Sequence, residues 1–126
     1  MNIPESLKYS KQHLWVSHES PDSMACGITD HAQHTLGDIV FIEAPAIGTQ
    51  LSMGQTCGIV ESVKTASDLH APVTGIVTAI NQDLLSAPDQ ANATPYSAWI
   101  FKLKPLQPAE LDQLLDAEGY RKLLDA

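Results

Sequence analysis

Apolar and β-branched positions in this chain come in short bursts separated by proline, glycine and polar clusters, a pattern that predicts brief strands rather than long helices. Residues 13–18 read as a strand, 19–23 as a proline-containing turn and 24–28 as the strand returning from it, so the chain opens with a hairpin. Thr29 stands where a side-chain oxygen can cap a short helix over 30–36, with Asp30 at the positive end of its dipole and Gly37 available to end it. From 38 to 80 the β-branched stretches recur at 39–42, 56–63, 69–73 and 75–80, punctuated by Pro45, Gly48, Gly54, Pro72 and Gly75. Two of these segments, starting at Gly58 and Gly75, both open Gly-Ile-Val, a weak likeness of halves that supports the strand reading. Residues 81–96 read as a polar connection and 98–103 as one more strand. After Pro108 the period changes: Leu111, Leu114 and Leu115 share a helical face, and Tyr120, Leu123 and Leu124 repeat that spacing beyond Gly119. The expected fold is mainly β, a flattened β barrel or sandwich with short peripheral helices and two C-terminal helices over 108–125.

At 126 residues the chain suits one domain, 1–126, with enough surface to bury that a core needs neither metal nor disulfide. Its longest apolar run falls well short of the roughly 18 residues that span a bilayer, and the first ten residues lack a signal-peptide pattern. A soluble protein of the bacterial cytoplasm is therefore expected. Seven basic residues against fifteen acidic ones leave a formal charge of -8, which opposes phosphate backbones and anionic lipids, so neither nucleic acid nor membrane is an expected partner. Cys26 and Cys57 form no CxxC pair and read as small buried thiols in a reducing compartment.

No paired-carboxylate, Ser-His-Asp, phosphate-loop or GxGxxG pattern stands out. His31 and His34 are three apart on the expected helix, but no third ligand sits at a diagnostic spacing, so surface or packing roles fit them better than a metal site. Positive charge is more informative. From 12 to 101 the only Lys or Arg is Lys64, against about five on even spacing, while the same stretch holds nine carboxylates. Lys64 falls between two strand-like segments, so its amine should project from the tip of a β hairpin, isolated, exposed and addressable. On charge alone, a solvated turn lysine explains the same pattern.

The residues around it carry a resemblance. Glu61-Ser62-Val63-Lys64-Thr65-Ala66-Ser67-Asp68 followed by Ala71-Pro72-Val73-Thr74-Gly75 resembles the lipoyl-attachment segment of the glycine cleavage system H proteins. So do Leu7-Lys8-Tyr9-Ser10-Lys11 with His13 and Trp15, Gly27-Ile28-Thr29-Asp30-His31-Ala32-Gln33, Leu36-Gly37-Asp38-Ile39-Val40-Phe41, and later Asn92, Pro95-Tyr96 and Trp99-Ile100. Biotin carriers flank their lysine with Met, and lipoyl domains of 2-oxoacid dehydrogenases usually precede it with Asp, whereas Val63 and Thr65 stand here.

The resemblance implies a lipoyl-type fold (barrel-sandwich hybrid) and a carrier rather than an enzyme, with lipoate joined to Lys64 as an amide. It implies that Glu61 and Gly75 help present the lysine to the lipoylating enzymes, and that Asp68 contacts the arm when it folds against the protein. The implied partners are a pyridoxal-phosphate glycine decarboxylase that loads the arm with an aminomethyl group, a tetrahydrofolate-dependent aminomethyltransferase that unloads it, and dihydrolipoyl dehydrogenase, which reoxidises it. Two departures stand out. Leu14 occupies a place where the family commonly has glutamate, leaving Asp68 as the arm's carboxylate, and Ser97-Ala98 replace a glycine pair before Trp99. These keep two alternatives in view: an H-like relay passing lipoate to other complexes, and an unmodified binding module.

Overall fold

The computed structural model describes residues 1–125 and builds them around two antiparallel sheets rather than a closed barrel. The larger sheet runs in spatial order β1 (Lys8–Tyr9), β2 (Leu14–Ser20), β3 (Ser23–Ile28), β9 (Phe101–Pro105), β8 (Gly75–Ile80) and β5 (Gln50–Leu51). The smaller has β6 (Thr56–Ser62) between β4 (Ile39–Glu43) and β7 (Ala66–His70). Both sheets contribute to one apolar core, with Leu14, Val16, Met24, Val77 and Leu103 from the first and Ile39, Ile42, Val60 and Leu69 from the second. Of the two expected forms, the sandwich is the one that exists.

The opening hairpin forms as expected, with Leu14 opposite Ile28 and His18 opposite Met24, but its strands run on to Ser20 and Ser23, so the turn is shorter than 19–23. β3 is buried along most of its length and β2 over Leu14–Val16, rather than alternating, because these stretches are covered on both faces, while β2 runs out into solvent from His18. The second face packs Tyr9, Trp15 and Ala25 against Ala117 and Tyr120 of the C-terminal helix α4 (Ala117–Asp125). Tyr9 and Tyr120 stack with ring centroids 4.7 Å apart and planes 9° from parallel.

Helix α1 (Asp30–Leu36) forms as its sequence dictates. The Thr29 hydroxyl accepts the Ala32 N–H at 3.2 Å, and Gly37, at φ +82°, donates its N–H to the Gln33 carbonyl at 2.9 Å.

Several expectations needed correction. The strand expected at 69–73 is β7, three residues earlier, because the turn after β6 is tight enough to start pairing at Glu61 opposite Ala66. The last strand is Phe101–Pro105 rather than 98–103: Ala98 and Ile100 are buried but precede the ladder. The connection 81–96 holds two short helices, α2 (Gln82–Ser86) and α3 (Gln90–Ala93), too brief to leave a periodic trace. The two-residue strands β1 and β5 were equally invisible. Finally, Pro108–Gln113 is a 3-10 helix, not an α-helix. Leu115 is drawn off to exchange two 2.8 Å backbone hydrogen bonds with Tyr9, and Gly119 lies inside α4 instead of separating two helices.

Candidate functional site

The hairpin between β6 and β7 turns on Ser62. Its N–H donates to the Thr65 carbonyl at 2.8 Å, and its hydroxyl accepts the Lys64 and Thr65 N–H groups at 3.3 and 3.1 Å. A serine hydroxyl bonding backbone two and three residues ahead is a turn-forming device, and here it pins the residue that matters. A second anchor comes from outside the hairpin, where the Val63 N–H donates to the Asp38 carbonyl at 3.0 Å. Lys64 is exposed at the tip, as its sequence position predicted, and among the described residues it ion-pairs with no carboxylate. Its stem leans toward the end of α1: a Cβ built on Gly37 would stand 3.5 Å from Lys64 Cε.

A cleft of about 140 Å³ lies between α1 and β7 and reaches Leu36, the neighbour of the Gly37 that the lysine stem leans on. Leu36 and His31 line it from α1, Ser67 and Asp68 from β7, and His13 and Leu14 from the start of β2. Leu14 is 1% exposed and faces the core, so the cleft floor there is apolar. Asp68, opposite Ile59 in the register, is the cleft's carboxylate.

The cleft wall opposite β7 is held by a chain of polar groups. Tyr120 Oη lies 2.8 Å from both His13 Nδ1 and Thr29 Oγ1. Because Thr29 Oγ1 already accepts the Ala32 N–H, every donor is used if Thr29 donates to Tyr120 and Tyr120 donates to His13 Nδ1. His13 is then a neutral imidazole with its proton on Nε2. Burial, together with His31 at 4.8 Å between ring centroids, lowers its pKa from the ordinary histidine value. Burial likewise pushes the Tyr120 phenol up to about 12, so it stays a donor. His13 has φ +69°, a left-handed backbone that histidine tolerates better than β-branched residues, which places local strain at the cleft rim.

Asn92 of α3 braces the other end of α1. Its amide donates to Gln33 Oε1 at 3.0 Å and the Gly37 carbonyl at 2.8 Å, and its oxygen accepts the Ile39 N–H at 2.9 Å. The turn between α1 and β4 is thereby closed beside the lysine stem.

The four residues singled out from the sequence do not form one cluster. Lys64, Glu61 and Asp68 share the β6–β7 hairpin, with Glu61 exposed opposite Phe41 and Ala66. Gly75 is buried in the other sheet, where a Cβ would come within 2.7 Å of the Lys104 carbonyl oxygen, so close packing against β9 requires glycine there. Tyr120 and Thr29 were not recognised as parts of the site. No local signal could reveal Tyr120, which bonds the cleft-lining His13 from 107 residues further along the chain.

Neither thiol is poised for chemistry: both are free, Cys26 is fully buried, and burial raises Cys57 to about 11. Among the described residues no three His, Cys, Asp or Glu side chains converge as metal ligands, and no helix is long and apolar enough to cross a membrane.

The family model described as "Glycine cleavage H-protein" matches residues 7–126. The glycine cleavage system H protein of Nitrosospira multiformis is 53% identical over 126 residues, covering 100% of this chain and 98% of its own. That of Methylobacillus flagellatus is 56% identical over 124 residues, covering 98% and 99%. The crystal structure of a glycine cleavage system H protein from Mycobacterium marinum superposes with a TM-score of 0.89 at 32% identity, over 98% of this chain and 100% of that one. The chain belongs to the glycine cleavage H-protein family.

Proposed function

We propose that this chain is the lipoyl carrier of a glycine cleavage system, with lipoate in amide linkage to Lys64. The observation that carries the reading is the exposed Lys64 amine, free of ion pairs among the described residues, on a pinned hairpin tip whose β7 strand lines a cleft with apolar floor and polar rim. These residues suit a flexible, largely apolar arm: a fixed base at one end and a partly sheltered groove alongside. The names of the relatives favour the glycine role over a lipoate relay.

When bound, the group supplies a dithiolane that carries a glycine-derived aminomethyl unit between enzymes. The chain's own work is mechanical and electrostatic. Ser62 and the Asp38 carbonyl fix the direction in which Lys64 leaves the turn. Tethering makes each delivery effectively intramolecular, at millimolar-order effective concentration. Asp68 is the carboxylate placed to face an amine in the cleft, while Leu14 excludes water there without offering an acceptor. Glu61 and Gly75 serve recognition by the lipoylating enzymes, Glu61 directly and the buried Gly75 through the strand geometry it permits.

The carrier performs no acid-base step of its own and works in the bacterial cytoplasm with the pyridoxal-phosphate decarboxylase, the tetrahydrofolate-dependent aminomethyltransferase and dihydrolipoyl dehydrogenase. The fully lipoylated chain is expected to support glycine-dependent exchange of labelled carbon dioxide with its matched decarboxylase. No exchange above the carrier-free rate would overturn the glycine role.

A further inference from the structure

Beside the lysine lies an apolar surface that neither the core nor the cleft accounts for. Val40 is 54% exposed, Phe41 47% and Val63 70%. Strand β4 would ordinarily hide one of two neighbouring side chains, but its register slips between Ile39, opposite Ser62, and Phe41, opposite Glu61. A bulge of this kind re-aims a side chain, and here it sends both Val40 and Phe41 to solvent. Phe41 then stands directly across from Glu61, and Val63 immediately precedes Lys64 while bonding the Asp38 carbonyl. The apolar surface therefore continues into the lysine turn. Around it stand the exposed carboxylates of Asp38, Glu43 and Glu61, and from 12 to 101 Lys64 is the only Lys or Arg.

We propose that Val40, Phe41 and Val63 are the docking surface for the enzyme that acylates Lys64, and that this enzyme meets them with an apolar centre inside a basic rim. Reach selects this occupant. The lysine amine sits only four methylenes from the backbone, so an enzyme that bonds to it must cover the surface flanking the turn. Enzymes acting on the far end of a finished arm need not come so close. Acidic rim and apolar centre together fix the complementary face. In the step served, the neutral Lys64 amine attacks the carbonyl carbon of an activated lipoyl group such as an acyl adenylate. The amide bond forms, AMP leaves with the electron pair of its bond to carbon, and the amine's proton passes to solvent.

The inference rests on the carrier reading, and the test separates the two. Unmodified chain is titrated into a bacterial lipoate ligase with ATP and lipoate, and modification is followed by intact mass. For the Val40→Ser/Phe41→Ser double variant KM should rise about tenfold with kcat within about twofold, and for Val63→Ser KM should rise about threefold. Once fully lipoylated, the same variants should match wild type in exchange with the decarboxylase. Should the double variant melt early, Val63→Ser, on an exposed turn, gives the same reading alone. Unchanged KM in folded variants, an equal loss in lipoylation and exchange, or wild-type dimers dissolved by these substitutions would overturn the proposal. A wild-type chain that accepts no lipoate at all would instead bring down the carrier reading and this inference with it.

Discussion

The lysine turn and the cleft wall facing it are built by opposite means. At the turn, Ser62 bonds residues two and three positions away, every group lies near solvent, and apart from the Val63 N–H bond to the Asp38 carbonyl the shape is a local matter. At the wall, Tyr120 ties His13 and Thr29 together across 107 and 91 residues, and its ring is buried against Tyr9. A presenting element can afford to be local because its only task is to hold one amine outward. A sheltering element must keep its lining from opening, and that takes the packing of the whole sheet.

If the contrast is real, the two sites should respond unequally to truncation. Tyr120→Ala removes a fully buried ring and is expected to destabilise the fold by about 3–5 kcal/mol in urea unfolding. Tyr120→Phe keeps the stack and loses only the hydroxyl, leaving Thr29 and His13 without their shared partner, for about 1–2 kcal/mol. If Tyr120→Phe proved neutral, the polar chain would not be holding the wall. By comparison, Ser62→Ala should cost about 0.5 kcal/mol, since water replaces the lost partner at exposed amides, while hydrogen exchange at Lys64 and Thr65 accelerates.

The smallest effect expected is one of pH, and it belongs to the wall alone. His13 titrates below its unfolded value, so the unfolded chain binds the extra proton first as pH falls. Its contribution is therefore fully present above about pH 6.5 and lost as pH drops from there through the lowered folded value. Protonation also removes the Nδ1 lone pair that accepts from Tyr120. His13→Asn, which tolerates the same left-handed backbone, should flatten the melting-temperature profile between pH 7 and 5. An identical slope in the variant would assign that pH dependence elsewhere.

What the sequence made legible follows the same division. Thr29, Gly37 and the hairpin of β2 and β3 were readable because caps and turns depend on residues a few positions apart. So was the exposed position of Lys64, from its isolation in charge and its place between strand signals. Tyr120 reads as one apolar member of an amphipathic helix, and only the folded chain brings its hydroxyl to Thr29 and to His13 of the cleft lining. The first C-terminal helix departs from its pattern for a related reason: the Leu111, Leu114, Leu115 spacing is helical, but bonding of Leu115 to Tyr9 overrides it. Asn92 gave no local sign that it would close the turn at Gly37. The bulge that exposes Phe41 could not be seen either, since a register slip depends on the partner strand.

The central claim is that one amine, held out by a locally built turn, carries the cofactor. Intact-mass and peptide mapping of protein made in lipoate-fed bacteria tests it most directly, with Lys64→Ala beside the wild type. The account predicts a single lipoyl increment on the wild-type peptide containing Lys64 and none on the variant, which should melt at the same temperature. An unmodified wild-type chain in cells that lipoylate their own dehydrogenase subunits, or an increment on Lys102 or any other lysine, would contradict it.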